Sequence, residues 1–502
     1  TATGGVNTIL TGDGLNTVTL NGGSNTVTGG ADADAFVVSS GTQVIDTQAG
    51  ANTVTLTGGQ TTVTDGVNDD SITASGGVNT INLLQGNNLA TLNNGTNSVT
   101  AGSGNDSFVV AGGTNTLLTG EGTNTVSVTG GNSTVTGGSQ ADTVTASGGT
   151  NTIHVGEGAN LVTLNEGLNT ITAGSGNDTF VVASGTNVIT TGDGVNTATL
   201  NGGSSTVTAG TGNDSITATG GASSIDAGAG LNTITLSGGT NTVTTGAGND
   251  LVAISSGTQV VDTGAGTNTV TLSGGSSTVT AGSGADSITT SSGTHVVYAG
   301  AGVDTIELNG GINTINAQGG ADIINVTLGQ NVIDAGDDAD VITLNGGTNN
   351  VQGNSGTDTI FAMSGANVID AGADNDTLTL SGGTSTVSAG AGNDSLTATG
   401  GTHVINAGDD NDTLVLNGGT TTVNAGAGDD SITANSGSNI IATDAGANTV
   451  LLAGGLNTVT GGTGSDTITA NLGANSIDAG GGTDTLNLVD GTNTVTGGSG
   501  AD

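Results

Sequence analysis

The residues best suited to chemistry in this sequence are acids that recur at one fixed spacing. In steps of 18 residues, every position from Asn16 to Asp502 is Asp or Asn, with 19 Asp and 9 Asn. We call these positions the Asp/Asn row and each 18-residue unit a coil. Glycines often lie four and two residues before the acid, as in Gly102-Ser103-Gly104-Asn105-Asp106. Glycine turns let backbone carbonyl oxygens point to a common centre, and aspartate adds hard oxygen ligands, so the pattern predicts a row of calcium sites.

The predicted ligands of these sites are aspartate side chains and turn carbonyls. Zinc prefers nitrogen or sulfur ligands, and the chain has three His and no Cys. Mg²⁺ demands stricter octahedral geometry and keeps its waters. The predicted side-chain ligands are Asp34, Asp70, Asp106, Asp142, Asp178, Asp214, Asp250, Asp286, Asp304, Asp322, Asp340, Asp358, Asp376, Asp394, Asp412, Asp430, Asp466, Asp484 and Asp502. The predicted carbonyl ligands are Gly102, Gly104, Gly174, Gly176, Gly210, Gly212, Gly246, Gly248, Gly282, Gly284, Gly390, Gly392, Gly426 and Gly428.

The charge of the chain also demands an external cation. There are 42 Asp and Glu but no Lys or Arg, which gives a formal charge of −42. Carboxylates stacked ~4.8 Å apart repel each other by roughly 1 kcal/mol in water and by about 3 to 4 kcal/mol at an effective dielectric near 20. We therefore expect many Ca²⁺ ions, at most roughly one per coil. The same charge excludes nucleic acid and anionic membrane surfaces as partners, and the apolar stretches are too short for membrane insertion.

The elements that position the row are short strands. In the coil of Asp214, the apolar residues Ile216, Ala218, Ile225 and Ala227 alternate with Ser and Thr. Alternation with a period of two, bounded by glycine, is typical of half-buried strands. Two such strands per coil predict an all-β fold, a parallel β-solenoid of about 28 coils. At ~4.8 Å per coil, the array would be roughly 130 Å long.

The opposite turn carries an Asn or another neutral residue where the first turn has the acid. It has sequences such as Gly112-Gly113-Thr114-Asn115, and we predict that its Asn side chains form a ladder of hydrogen bonds. The sequence therefore predicts calcium on one side only. His295 and His403 fall in this amide row, and His154 falls on a strand. We expect all three to be surface residues.

The unbroken register predicts a single continuous β-solenoid over residues 1–502. Asn and Asp coils alternate in residues 1–286, whereas residues 287–502 have Asp at nearly every coil. We expect weaker calcium binding in the first part. There, acids three residues before an Asn of the row are expected to supply part of the ligation, and turns with Gln48 or Leu84 in place of the first Gly form the least regular sites. These acids are Asp13, Glu121, Glu157 and Asp193.

The turn and the strand that follows it resemble a known family. The segment Gly102–Val110, with the pattern Gly-x-Gly-Asn-Asp-x-Phe-Val-Val, is similar to the calcium-binding nonapeptide of the repeats-in-toxin (RTX) family. The resemblance implies a right-handed parallel β-roll whose ions lie between the turns of successive coils, held by Asp side chains and turn carbonyls. Many rolls of this family bind ions on both sides, whereas the second turn here lacks the acid.

Two functions fit these observations, and neither is enzymatic. We find no Ser, His and Asp set typical of nucleophilic catalysis, since every Ser lies in a repeated position. The first hypothesis is an extracellular, calcium-stabilised structural protein, such as a fibre, adhesin stalk or surface-layer element. Its end coils are in full register, so we expect either a segment of a longer rod or self-association, end to end or lateral. The alternative is an ice-binding segment of an RTX-type adhesin, with outward Thr-x-Thr pairs such as Thr17 and Thr19.

The expected weakness of the calcium sites indicates where the protein acts. Weak sites need the roughly millimolar calcium found outside cells, which predicts secretion to the cell surface.

Overall fold

All regular secondary structure in the described residues is β-strand. The computed structural model describes residues 1–500 and 502, which cluster into two compact units, Thr1–Ala247 and Gly248–Asp502. No helix in this described part is long and apolar enough to span a membrane.

The first unit contains strands β1 to β23, most of which have four or five residues. In chain order they are Val6–Leu10, Thr17–Thr28, Ala35–Asp46, Thr53–Leu56, Gln60–Thr64, Ser71–Ala74, Val78–Asn82, Leu89–Leu92, Thr96–Thr100, Ser107–Val110, Thr114–Leu118, Thr125–Val128, Asn132–Thr136, Thr143–Gly156, Leu161–Ala173, Thr179–Val182, Thr186–Gly192, Thr197–Leu200, Ser204–Ala209, Ser215–Ala218, Ala222–Asp226, Thr233–Leu236 and Thr240–Thr244.

The second unit contains strands β24 to β51. In chain order they are Leu251–Ile254, Thr258–Asp262, Thr269–Leu272, Ser276–Thr280, Ser287–Thr290, Thr294–Ala301, Thr305–Leu308, Ile312–Gly319, Ile323–Val326, Gln330–Asp337, Val341–Leu344, Thr348–Ser355, Thr359–Ala362, Ala366–Ala373, Thr377–Leu380, Thr384–Ala391, Ser395–Ala398, Thr402–Asp409, Thr413–Ala427, Ser431–Ala442, Thr449–Leu452, Leu456–Thr460, Thr467–Ala470, Ala474–Asp478, Gly481–Gly482, Thr485–Leu488, Thr492–Thr496 and Ser499–Gly500.

Within each unit, strands pair in parallel with the strand one coil further along the chain. In the first unit Phe108 lies opposite Val126, and in the second Ile342 lies opposite Ile360, 18 residues on in both cases. This confirms the sequence prediction of an all-β parallel β-solenoid with about 18 residues per coil and about 28 coils.

The core of each coil is formed by the residues that the period-two pattern placed inside. In the coil of Asp214, Ile216, Ala218, Ile225 and Ala227 are all buried. The large side chains of Phe36, Phe108 and Phe180 are among the most completely buried. Burial of apolar surface between the two strands therefore stabilises every coil, at ~25 cal/mol per Å².

The amide turn forms the predicted ladder. Nδ2 of Asn313 donates to Oδ1 of Asn331 at 2.8 Å, and Nδ2 of Asn331 donates in the same way to Asn349. The second N–H of each amide donates to the carbonyl three residues earlier, as from Asn313 to Gly310 at 3.0 Å. Both amide protons are thus satisfied inside the protein, which is what a buried amide needs.

The expectation for the histidines was wrong for two of them. His295 and His403 are each 1% exposed. The Nε2 atom of each contacts the carbonyl oxygen three residues earlier, which is the contact that Nδ2 of an Asn makes at the same position in other coils. Burial lowers the pKa of both imidazoles. His154 is exposed, as predicted.

Candidate metal centre

The side chains of the Asp/Asn row are buried where each coil leaves its glycine turn. From Asp34 to Asp484, every member of the row is 5% exposed or less. Asn16 is half-buried and Asp502 is exposed. A solvated acidic face is therefore excluded for the row between Asp34 and Asp484.

One oxygen of each buried side chain is used by the backbone. The amide of Asp106 donates to Oδ1 of Asn124 at 2.8 Å, and the amide of Asp340 donates to Oδ1 of Asp358 at 2.8 Å. The same bond joins neighbouring coils from Asn16 to Asn232 and from Asp250 to Asp484. Oδ1 is thus placed identically by Asp and Asn.

In Asn coils, the other end of the side chain closes its own turn. Nδ2 of Asn124 donates to the carbonyls of Gly122 at 3.0 Å and Gly120 at 3.4 Å. Nδ2 of Asn52 reaches the carbonyl of Gly50 at 2.9 Å in the same way. The amide therefore supplies the positive charge density that these converging carbonyl oxygens require.

In Asp coils, the atom at that place is a carboxylate oxygen. Because Oδ1 is fixed in the same way, Oδ2 of Asp lies where Nδ2 of Asn would lie, and an oxygen then faces the turn carbonyls. In two coils a Thr hydroxyl donates to Oδ2, namely Thr11 to Asp34 and Thr443 to Asp466, both at 3.3 Å. Oδ2 is buried without a hydrogen bond of normal geometry in Asp70, Asp106, Asp142, Asp178, Asp214, Asp286, Asp304, Asp322, Asp340, Asp358, Asp376, Asp394, Asp412, Asp430 and Asp484.

These unpartnered oxygens fit a hard cation. A buried charge without a partner is strongly unfavourable, and the chain has no Lys or Arg to provide one. Ca²⁺ takes six to eight oxygen ligands from carboxylates and carbonyls. In the described residues, no three His, Cys, Asp or Glu side chains converge to hold a metal by themselves. The turn carbonyls would therefore supply a large share of the ligands.

The pKa values of the buried carboxyls reflect the same environment. Burial, opposed by the hydrogen bond to the preceding row amide and reinforced by neighbouring acids, raises the pKa of Asp322 to about 7 and that of Asp340 to about 8. Burial also raises the pKa of Asp286 to about 6, and the nearby charge of Asp304 adds to this shift. Without a cation, these groups hold protons at pH values where an exposed aspartate is ionised.

The predicted turn glycines lie beside these carboxyls, and their carbonyls stack from coil to coil. A Cβ on Gly122 would lie 1.9 Å from the carbonyl oxygen of Gly104, so the stacking leaves no room for a side chain. Some predicted carbonyl ligands also accept a backbone hydrogen bond, as Gly102 does from Glu121 at 2.8 Å and Gly282 from Ala301 at 2.9 Å. A carbonyl has two lone pairs, so these oxygens keep one for a cation.

The acids expected to help the Asn coils lie at the outer edge of the turns. Asp13, Glu121, Glu157 and Asp193 are exposed. Each accepts a hydrogen bond from the turn of the next coil, as Asp193 does from the amide of Thr211 at 2.9 Å. In this structure they brace neighbouring turns.

Sequence reasoning missed several acids near the row. Asp338, Asp374 and Asp410 replace the second turn Gly and have φ values of 75–80°. Their charges contribute to the raised pKa of nearby row residues such as Asp340, Asp376 and Asp412. Asp65 lies at an inward position five residues before Asp70. A search for acids at positions that the repeat otherwise fills with small or apolar residues would have found all four.

A sequence model for one family matches much of the chain. The family is described as the RTX calcium-binding nonapeptide repeat (4 copies). No curated protein matches the chain, and no solved structure does. The family matches cover well over half of the chain, at residues 1–36, 91–126, 118–153, 127–162, 154–189, 163–198, 190–225, 217–252, 262–294, 298–333, 316–351, 344–378, 352–387, 381–414, 415–450 and 453–486.

Proposed function

This chain belongs to the RTX calcium-binding nonapeptide repeat family, and from that premise we propose that it is an extracellular structural protein, a β-solenoid stabilised by calcium. The observation that carries the proposal is the row of buried Oδ2 atoms without hydrogen-bond partners, which recurs in fifteen Asp coils. A divalent cation in each of these turns would offset the buried charge. The calcium-loaded chain would then be a stiff element of a fibre, adhesin stalk or surface layer.

Calcium binding in this proposal is confined to the Asp coils. In an Asn coil, Nδ2 of the row residue already donates to the turn carbonyls, as from Asn124 to Gly122. Alternation of Asn and Asp in residues 1–286 would therefore halve the number of ions there. The opposite turn is closed by the Asn ladder, which supports ions on one side only. The ligands of each ion would be row aspartates and carbonyls of the Gly-x-Gly turns.

The extracellular location in this proposal follows from ion supply. Sites that depend on turn carbonyls and single carboxylates are expected to fill at the roughly millimolar calcium found outside cells. The chain would remain largely unfolded at low calcium and fold after export. Self-association, either end to end or side by side, would build the fibre.

Circular dichroism of the full chain with calcium and with excess chelator tests the proposal. We expect a strand-rich spectrum in millimolar calcium and a largely unfolded spectrum at pH 7.5 in chelator. Electron microscopy of the calcium-loaded sample should show filaments or bundles. A strand-rich spectrum that is unchanged by chelator would contradict the proposal.

Ice binding is the second candidate, because the structure leaves in-register Thr residues on an outward strand face. Thr53 is exposed and Thr55 is half-buried on the same strand. Val37, Glu307 and Phe361 interrupt the file in which Thr55 lies. A thermal-hysteresis measurement on the calcium-loaded chain separates the candidates, since a fibre element alone produces no freezing-point gap.

A further inference from the structure

Asp65 is an acid at a position where the repeat elsewhere has none. We call the inward residue five places before the row residue the pre-turn position. Outside Asp65 it holds only Thr, Ala, Gly, Val or Leu. Asp65 is 2% exposed, and its Oδ2 has no hydrogen-bond partner, whereas its Oδ1 accepts from the amide of Leu84 at 2.5 Å. Asp65 therefore places a second carboxylate beside the row.

Equivalent positions in other coils show what surrounds this carboxylate. Within one coil, the pre-turn Thr191 and the row residue Asn196 are joined by a hydrogen bond of 3.2 Å. Asp65 and Asp70 occupy the same two positions, so we expect their carboxylates to converge.

A hydroxyl from the preceding coil approaches the same point. Thr11 and Thr443 each donate from the pre-turn position to Oδ2 of the row residue in the next coil, at 3.3 Å. Thr47 and Asp70 occupy these two positions here, but their Oγ1 and Oδ2 atoms are buried and unpartnered. Three buried oxygens without partners thus occupy positions that lie within hydrogen-bond distance of one another in other coils.

The surrounding turns depart from the Gly-x-Gly pattern. Gln48 adopts a φ of 61°, and Leu84 stands where the first Gly is usual. Together with Asp65 they line a surface groove of about 340 Å³, whose lining includes neither Thr47 nor Asp70. Residues 37–90 also lie outside the ranges that match the RTX family. The local structure is therefore distinct from the regular turn.

We propose that Asp65, Asp70 and Thr47, with nearby turn carbonyls, form an additional divalent-cation site that does not follow the 18-residue register. Two carboxylates, a hydroxyl and carbonyls are the hard oxygen ligands that Ca²⁺ takes. The site offers two buried carboxylates from one coil, whereas other turns of the row offer one. It is therefore expected to fill at lower calcium concentrations than the regular sites.

Anomalous diffraction from crystals of the full chain grown with Mn²⁺, an ion that accepts oxygen ligands, tests this site. We expect a peak that contacts both Asp65 and Asp70, and the Asp65→Thr variant should lose this peak and keep those of the regular Asp coils. Peaks at the regular coils with none at Asp65 would overturn this inference and leave the proposed function intact. Absence of peaks throughout would overturn both.

Thermal unfolding of the same variant gives a second readout. In chelator at pH 6, where the metal-free chain still retains strand structure, Asp65→Thr should unfold at a temperature several degrees higher than the wild type, because the variant restores a residue common at the pre-turn position. The rise in Tm produced by calcium should be smaller in the variant. Asp226→Asn, which removes an exposed charge, serves as the control. An equal calcium-induced rise in Asp65→Thr and wild type would overturn the inference.

Discussion

At the scale of single residues, Asp and Asn in the row differ in one side-chain atom, which is the oxygen Oδ2 in Asp and the nitrogen Nδ2 in Asn. This atom leaves a hydrogen bond unmade in Asp and makes one in Asn. Oδ1 accepts the same backbone hydrogen bond in both, as in Asn124 and Asp358. The second atom is a donor that closes the turn in Asn and an unpartnered acceptor in Asp. The identity of the row residue therefore determines whether the carbonyl oxygens of its turn are hydrogen-bonded by the side chain or require a cation.

The variant Asp394→Asn tests this difference. In chelator at pH 6, where the metal-free chain still retains strand structure, we expect the variant to be more stable than the wild type by about 1–3 kcal/mol, because a buried unpaired acceptor becomes a donor to the turn carbonyls. In saturating calcium, the variant should bind one ion fewer and lose this advantage. Denaturant unfolding in both conditions measures the effect.

Asp370→Asn is the matched control, because Asp370 is exposed on an outward strand position. It removes the same charge and should change stability little in either condition. If Asp394→Asn destabilised the chain equally with and without calcium, the row would have a purely structural role.

At the scale of the element, the glycine turns are fixed by the closeness of neighbouring coils. Gly122 has a φ of 110°, and its Cα faces the carbonyl of Gly104. At Gly122 glycine satisfies both conditions without strain, since other residues rarely adopt this φ and have a Cβ that would collide. Asp338, Asp374 and Asp410 occupy the equivalent position at smaller φ values of 75–80°, so the intolerance is specific to turns with the geometry of Gly122.

Gly122→Ala is expected to destabilise the chain by about 1–3 kcal/mol or more, from positive-φ strain and the collision with the Gly104 carbonyl. Gly319→Ala is the control, because a Cβ there meets nothing within 4 Å and φ lies outside the left-handed region. Thermal unfolding in calcium should separate the two variants. If both variants lost the same stability, the close contact between Gly122 and the Gly104 carbonyl would not be the cause of the loss.

At the scale of the whole molecule, protons and calcium compete for the same buried carboxyls. Burial raises the pKa of Asp376 to about 7 and Asp412 to about 7, and neighbouring acids add to the shift. A carboxyl whose pKa is higher in the folded state contributes stability that is present below the unfolded value near 4 and is lost as the pH rises through the folded value. In the absence of metal, the chain should therefore be most stable in acid.

The expected pH profile has opposite slopes with and without calcium. In chelator, the strand signal in circular dichroism should be strong near pH 4 and fall between about pH 6 and 8, the range of the raised pKa values. The two buried imidazoles titrate in the opposite direction but are outnumbered. With calcium, affinity should rise with pH, because binding displaces protons. A metal-free chain that gains structure from pH 5 to 8 would contradict this account.

Much of the fold could be predicted because the repeat is strict. The 18-residue step specifies the parallel register, and alternate apolar residues such as Ile216 and Ala218 identify the core. Period two fixes the side of a strand on which a residue lies. The same pattern placed the amide ladder of Asn313 and Asn331 at the second turn.

The role of each turn depends on contacts between coils, because the periodicity of the sequence does not fix the direction of a turn side chain. Burial of the Asp/Asn row, the shared Oδ1 bond and the burial of His295 all depend on the coil stacked above or below. The site of Asp65 likewise arises from residues of adjacent coils, Thr47 and Asp70, that meet only after stacking. The composition and register of each coil follow from the order of its amino acids, whereas the contact between stacked coils sets which oxygens remain for a cation.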